Sequence, residues 1–442
     1  MAHIRRRGLL AGAAGALAAT VAGTAGAGAA RAAGPPASGA AGAPPGGAAR
    51  SEAEGPAERR AGTAGGSRGA GPEFRGMWIA SVLNVDWPSR PGLSAARQRS
   101  ELLALLDTAV ERRLNAVVLQ VRPAADAFWP SPFEPWSQWL TGTQGGDPGW
   151  DPLGTAVTEA HARGLELHAW FNPYRAATHP DPRRLSPRHP ARLHPEWTVA
   201  YGDRLHYNPG LPEVRSFVLD AMLDAVARYP VDAVHWDDYF YPYPVSGQRF
   251  DDDEAYRLYG GGLGRGDWRR LNTDLLVSEM SARIPQVRPG TRFGISPFGV
   301  WRNRSTDPAG SDTSGLEAYG ELYADTRRWV TEGWLDYVCP QLYWHIGSST
   351  TDYAKLVPWW AGTVAGTGTD LYVGEALYRC DADSPTAAWR RTGELSRHLT
   401  LAARYPEVRG HCFFSAKQVV SDPIGAMSRV VADHYPSAVP PR

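Results

Sequence analysis

Two neighbouring carboxylates, Asp237 and Asp238, stand where the apolar run Val231-Asp232-Ala233-Val234-His235-Trp236 gives way to Tyr239-Phe240-Tyr241-Pro242. A buried strand that ends in carboxylates and aromatic rings can deliver an acid, a base or a nucleophile to a substrate held on flat hydrophobic faces. Side chains alternate along a strand, so His235, Asp237 and Tyr239 share one face, and Trp236 and Asp238 the other. By that alternation Asp237 faces the reacting bond, as nucleophile or stabiliser of positive charge. Asp238 is left to orient an arginine or a substrate hydroxyl.

These residues need a scaffold, and the chain from Phe74 onward supplies one in repeating form. Short apolar runs alternate with helical stretches, the pattern of a parallel sheet with crossover helices. Eight such runs are present, at residues 76–80, 116–121, 165–170, 233–236, 292–296, 335–339, 371–374 and 410–414. That number closes a (β/α)8 TIM barrel with extended loops between strands and helices. The spacing predicts helices over 96–112 and 213–228, the second opened by Pro212 behind a poor cap, Leu211. The longest connection, 173–210, is rich in Pro, Arg and His and is placed as a loop beside the substrate. A last helix near 424–434 precedes a short Pro-rich tail, so the barrel is expected to span 73–435 and the tail 436–442.

In such a barrel the chemistry gathers at the C-terminal strand ends. The residues there include Trp87, Arg122, Asp126, Trp129, Asn172, Arg175, Trp301, Gln341, Tyr343, Trp344 and Glu375. Aromatic faces stack on pyranose rings, and amides and arginine forks hydrogen-bond hydroxyls, so the mixture suits a sugar. Asn172, Arg175, Gln341, Tyr239 and Tyr343 are read as substrate contacts, and Trp87, Trp129, Trp301 and Trp344 as stacking candidates. With 17 Trp in the chain, several of these must belong to the core. Glycosidases need two carboxyl groups flanking the bond, about 5 Å apart or further. Neighbours on one strand cannot supply both, so the acid is sought in Asp126 or Glu375. Arg122 beside Asp126 would hold it ionised, whereas burial at a strand end would raise Glu375. A metal site from His168, His235 and Asp237 is the weaker alternative, because no ligand spacing supports it and core histidines are the ordinary case.

The runs Glu73-Phe74-Arg75-Gly76-Met77-Trp78, Asn84-Val85-Asp86-Trp87-Pro88-Ser89, Gln120-Val121-Arg122-Pro123-Ala124-Ala125-Asp126, Trp170-Phe171-Asn172-Pro173-Tyr174-Arg175 and His235-Trp236-Asp237-Asp238-Tyr239-Phe240-Tyr241-Pro242 resemble the bacterial family-10-like glycosyl hydrolases. So do Gly294-Ile295-Ser296-Pro297-Phe298-Gly299-Val300-Trp301-Arg302 and Cys339-Pro340-Gln341-Leu342-Tyr343-Trp344. The resemblance implies a (β/α)8 barrel acting on cell-envelope glycans, with peptidoglycan strands stripped of their stem peptides as the substrate of some members. Its motifs contain Asp126, which favours that residue over Glu375 as the acid. The resulting expectation is a cofactor-free glycoside hydrolase of retaining or substrate-assisted type. The alternative is a cell-wall glycan-binding protein that keeps the barrel without catalysis.

Composition sets the remaining bounds. The chain is 43% hydrophobic with zero formal net charge, so it carries no electrostatic footprint for nucleic acid. Residues 1–32 read as an export signal: Arg5-Arg6-Arg7, a weakly apolar core, then Ala30-Arg31-Ala32. Paired arginines fit the twin-arginine type, which implies a secreted or wall-associated protein. Residues 33–72, nearly all Ala, Gly, Pro, Ser, Arg and Glu, read as a disordered tether. No later stretch is apolar for long enough to span a bilayer as a helix. Cys339, Cys380 and Cys412 form an odd set; the first and last lie in apolar runs, and Cys380 reads as a loop residue.

Overall fold

The computed structural model describes residues 72–442, so the expected export signal and nearly all of the expected tether lie outside the described residues. Its strands are β1 (Phe74–Ile79), β2 (Ala116–Arg122), β3 (Glu166–Phe171), β4 (Arg175–Ala177), β5 (Thr198–Tyr201), β6 (Arg204–Tyr207), β7 (Ala233–Trp236), β8 (Arg292–Ile295), β9 (Tyr337–Val338), β10 (Asp370–Glu375) and β11 (Val408–Phe413). Eight of them close a barrel in the order β1-β11-β10-β9-β8-β7-β3-β2, every pairing parallel. Each of the eight expected apolar runs overlaps one barrel strand, and the fold is the (β/α)8 TIM barrel.

Strand alternation sorts the core into two shells. Phe74, Trp78, Val118, Trp170, Tyr337, Tyr372 and Cys412 fill the barrel interior. Met77, Val117, Leu167, Val234, Phe293, Val373 and Phe413 face the surrounding helices. The interior is crowded enough to dictate a glycine: a Cβ on Gly294 would lie 2.1 Å from the Tyr337 ring. The Tyr337 hydroxyl in turn joins His168 Nδ1 and His235 Nδ1, both at 2.9 Å. Both histidines are thus interior packing groups, and burial lowers the pKa of each.

The helices follow their sequence signals. Ala95–Glu111 opens on Ser94, whose side chain accepts from the Arg97 N–H. Pro212–Arg228 carries Pro in its first turn, and Leu211 makes no side-chain cap. It buries Val214, Val218, Met222 and Val226, at helical spacing.

Three differences from the sequence reading concern loops and ends. The 173–210 connection carries its own antiparallel sheet, ordered β4-β6-β5, with Arg175 opposite His206. Its hairpin turns at Gly202-Asp203, where Gly202 has φ +60°, the backbone that glycine adopts without strain. Cys380 is buried like Cys339 and Cys412, and all three are free thiols. The closing segment is tied to the N-terminal end of the barrel: Arg75 donates to the Ser437 carbonyl at 2.7 Å, and Arg442 meets Asp370 at 2.8 Å and the Tyr372 hydroxyl at 2.7 Å.

Candidate active site

The C-terminal end of β7 presents both aspartates to the barrel mouth. Asp237 Oδ2 accepts from Trp170 Nε1 at 3.1 Å and from Asn172 Nδ2 at 2.5 Å, and Asp237 Oδ1 from the Tyr239 N–H at 3.2 Å. Trp170 and Asn172 belong to β3 and its end, so Asp237 leans to that flank. Asp238 leans the other way. Its Oδ1 accepts from Gln341 Nε2 at 3.0 Å, and its Oδ2 is hydrogen-bonded to the Tyr243 hydroxyl. Gln341 also donates to the Ser296 carbonyl at 2.9 Å, which fixes it across the ends of β8 and β9.

This corrects the expectation that Asp238 turns away. Ladder pairing stops at Trp236, and the chain then bends so that both carboxylates enter the mouth, Asp237 with 5% and Asp238 with 2% of its surface exposed. Alternation argued from a strand need not hold past its last paired residue.

Two buried neighbouring carboxylates cannot both ionise freely. Burial first, and the Asp238 charge second, push Asp237 up to about 7, against donors in Asn172 and the Tyr239 N–H and the Arg175 charge. Burial raises Asp238 as well, opposed by Tyr243 and Gln341. The pair therefore holds one proton near neutral pH. Hydrogen-bond chemistry locates it. The Trp170 indole and the Tyr239 amide can only donate, and Asn172 Oδ1 is already taken by Gln120 Nε2 at 2.6 Å. Asp237 thus meets three donors and suits the carboxylate form. Tyr243 donates to Asp238 when that carboxyl is ionised, but its hydroxyl can turn and accept when Asp238 is protonated, so Asp238 is the member able to carry the proton.

Around the pair stand buried and half-buried rings. Tyr239, Tyr243, Phe298 and Trp344 form one run, with Tyr239–Tyr243 centroids 5.6 Å, Tyr243–Phe298 6.1 Å and Phe298–Trp344 5.5 Å apart. Tyr343, Tyr378 and Phe414 form a second group, at 5.7 to 6.2 Å. The Arg175 guanidinium lies 4.5 Å from the Tyr239 ring and donates to the Pro123 carbonyl and to Asn172 Oδ1. Of the expected contacts, Asn172, Arg175, Tyr239, Gln341, Tyr343 and Trp344 come together here.

Other expected site residues make no hydrogen bond to the aspartate pair, although Arg122 braces the β3 end beside it by donating to the Asn172 and Pro173 carbonyls. Arg122 is fully buried and grips Glu134 with both arms of its fork, at 2.7 and 2.5 Å, so its charge does not hold Asp126 ionised. Asp126, also fully buried, is raised to about 7 by burial and next by Glu134, and accepts from the Ala124 N–H at 3.2 Å. It sits under the loop after β2, with no hydrogen bond to either aspartate. Glu375 points out of the barrel: Tyr372 and Gly374 face inward, so the next residue faces the helices. There it accepts from Tyr353 Oη at 2.8 Å and faces His398 Nδ1 at 2.9 Å and His411 Nδ1 at 3.0 Å. Those histidines hold it down at about 2 despite burial, the opposite of what an acid requires.

Three tryptophans read as stacking candidates are core. Trp87 donates to the Gln98 carbonyl at 2.8 Å, Trp129 to Asp224 at 2.8 Å, and Trp301 to Asp325 at 2.8 Å. The sequence reading omitted Trp170, Tyr243, Phe298 and Phe414. Trp170 shares strand parity with Asn172, and Phe298 follows the inward Ser296 by two residues, so alternation alone carries that signal.

Residues 73–390 match the family described as glycosyl hydrolase-like 10. The glycosyl hydrolase YngK of Bacillus subtilis is 46% identical over 376 residues, covering 83% of this chain and 73% of that relative. The glycosyl hydrolase DigH of Escherichia coli K12 is 43% identical over 362 residues, 77% of this chain and 82% of the relative. Among solved structures, the PgaB (BpsB) glycoside hydrolase domain of Bordetella bronchiseptica shares the barrel fold. It superposes with a TM-score of 0.51 at 12% identity, over 83% of this chain and all of that domain. With 46% identity to a named relative and a family match over most of its length, the chain belongs to the glycosyl hydrolase-like 10 family and is a glycoside hydrolase.

Proposed function

We propose that the protein is an exported hydrolase of a bacterial envelope polysaccharide, with peptide-free peptidoglycan strands as substrate, and that it uses the substrate's own acetamido group as nucleophile. The observation that carries the mechanism is the pairing of Asp237 with Asp238 at one strand end, while Asp126 and Glu375 are committed elsewhere. Adjacent residues cannot flank a sugar ring from opposite faces, so the ordinary two-carboxylate arrangement has no second partner among the expected acids. A 2-acetamido sugar removes the need for one.

In this reading Asp238 protonates the glycosidic oxygen as the bond to C1 breaks. The acetamido oxygen closes on C1 to give an oxazolinium, and Asp237, ionised, stabilises the positive charge at the acetamido nitrogen. Water then adds to C1 as Asp238 takes its proton, which restores both groups and retains the anomeric configuration. The aromatic walls suit stacking on successive rings of a strand. Export rests on the Arg5-Arg6-Arg7 leader pattern, and the reading places the protein in the extracellular space or against the cell wall.

The test is digestion of peptide-free strands in 18O-water, with products followed by mass spectrometry and by NMR of the new reducing end. Short saccharides with one 18O and retained configuration are expected, together with competitive inhibition by a thiazoline analogue of the oxazoline. Inverted products would overturn the substrate-assisted mechanism. Absence of products would overturn the substrate.

A further inference from the structure

The sheet that fills the 173–210 connection places a cationic face beside the catalytic pair. Arg175 on β4 pairs in register with His206 on β6, and Arg204 lies two residues before His206 on the same strand face. Arg175 is 5% exposed, and its Nε is buried without a hydrogen-bond partner among the described residues, so one donor of its fork is unmet. Arg204 keeps 26% of its side chain exposed, and its one ion pair among the described residues, with Asp203 at 3.4 Å, is to a carboxylate that is 87% exposed and weakly held. Both guanidinium charges act on the Tyr239 phenol, whose backbone N–H is bonded to Asp237. His206, held down to about 3 by burial and then by the two arginines, stays neutral and adds no repulsion of its own.

Neutral hydroxyls and amides do not call for two arginines at one wall, whereas a carboxylate does, because a guanidinium fork matches it in charge and geometry. We infer that Arg175, Arg204 and His206 form a subsite for a carboxylate carried by the sugar next to the scissile bond, so that the preferred substrate is a glycan containing an acidic amino sugar such as N-acetylmuramic acid with its carboxyl group free. The inference rests on the proposed function for the identity of the glycan, and it predicts a preference for strands without stem peptides: an amide-linked peptide removes the charge that the two arginines read.

Two measurements on the full chain test it. The first compares kcat/KM on peptide-free strands and on the same strands with carboxyl groups converted to methylamides, for the parent and for Arg204→Gln. A preference of about tenfold or more for the free acid, equal to the 1.4 kcal/mol of one charge-assisted contact, is expected, and Arg204→Gln should narrow that ratio. Equal cleavage of both strands by the parent, or an unchanged ratio in the variant, would overturn the subsite. The second titrates N-acetylmuramic acid and its methylamide by calorimetry and needs no turnover. Tighter, salt-sensitive binding of the acid that Arg204→Gln abolishes supports the subsite even where neither strand is cleaved, an outcome that defeats only the proposed substrate. Equal binding of acid and amide would overturn it.

Discussion

Asp237 and Asp238 share one proton because burial and proximity oppose a second charge, and in the proposed mechanism that shared proton sets the pH range of activity. Activity should fall as pH rises past about 7, where the pair loses its proton, and the fall should be visible in kcat/KM pH profiles. Asp238→Asn removes the proton carrier and should lower kcat by about 10²–10⁴-fold while erasing that basic limb. The same carboxylates burden the fold. Asp237 has a folded-state pKa raised above its unfolded value, so its contribution favours folding at low pH and is lost as pH rises from about 4 through about 7. Asp237→Asn should therefore match the parent's melting temperature near pH 4 and exceed it near pH 8, while being inactive at both. Equal melting temperatures at pH 8 would mean that Asp237 is not destabilised by its surroundings.

At the scale of elements, Glu375 and Arg122 show how a strand end can look catalytic and be structural. Glu375 ends β10 facing out of the barrel, where it is held between His398 and His411. Glu375→Gln should reduce stability by about 3–5 kcal/mol, as breaking a buried pair does, with kcat of the folded fraction unchanged at low temperature. A large loss of kcat with normal stability would return Glu375 to the active site. The barrel was legible in the sequence because its eight runs are buried on both faces and separated by amphipathic helices such as Pro212–Arg228. The Asp237 position was legible too, since it continues the inward parity of Ala233 and His235. Less legible were features set by loops. The bend after Trp236 that brings Asp238 inward has no local sequence signature. The Arg122–Glu134 pair joins residues whose approach depends on the fold of the β2 loop. The β5–β6 hairpin left a readable trace in Thr198-Val199-Ala200-Tyr201-Gly202-Asp203-Arg204-Leu205-His206-Tyr207, two short alternating runs across a Gly-Asp turn.

Over the whole molecule, the barrel sets opposing pH dependences against one another. Asp237, Asp126, Asp86 and Asp274 are all raised, chiefly by burial, and their contributions fade as pH climbs from about 4 through about 6 to 7. Glu375 is lowered, so its contribution fades as pH drops from about 4.5 through about 2. The buried histidines His168, His189, His206 and His235 are all lowered, and their contributions fade as pH drops below about 6.5, opposing those of the aspartates. The melting temperature should therefore form a broad plateau between about pH 4.5 and 6.5 that scanning fluorimetry across pH 3–9 can locate. The segment ending at Arg442 ties to β3 and β10 at the barrel's N-terminal end, opposite the mouth, in keeping with a stabilising base and a catalytic top. The central claim is that the adjacent aspartates at the β7 end carry the chemistry. It is tested most directly by mass spectrometry of the products formed from peptide-free glycan strands by the parent, Asp237→Asn, Asp238→Asn and Glu375→Gln proteins. Saccharide release by the parent and by folded Glu375→Gln, with none above background from either aspartate variant, is the expected result. Release by both aspartate variants at the parent's rate would contradict it.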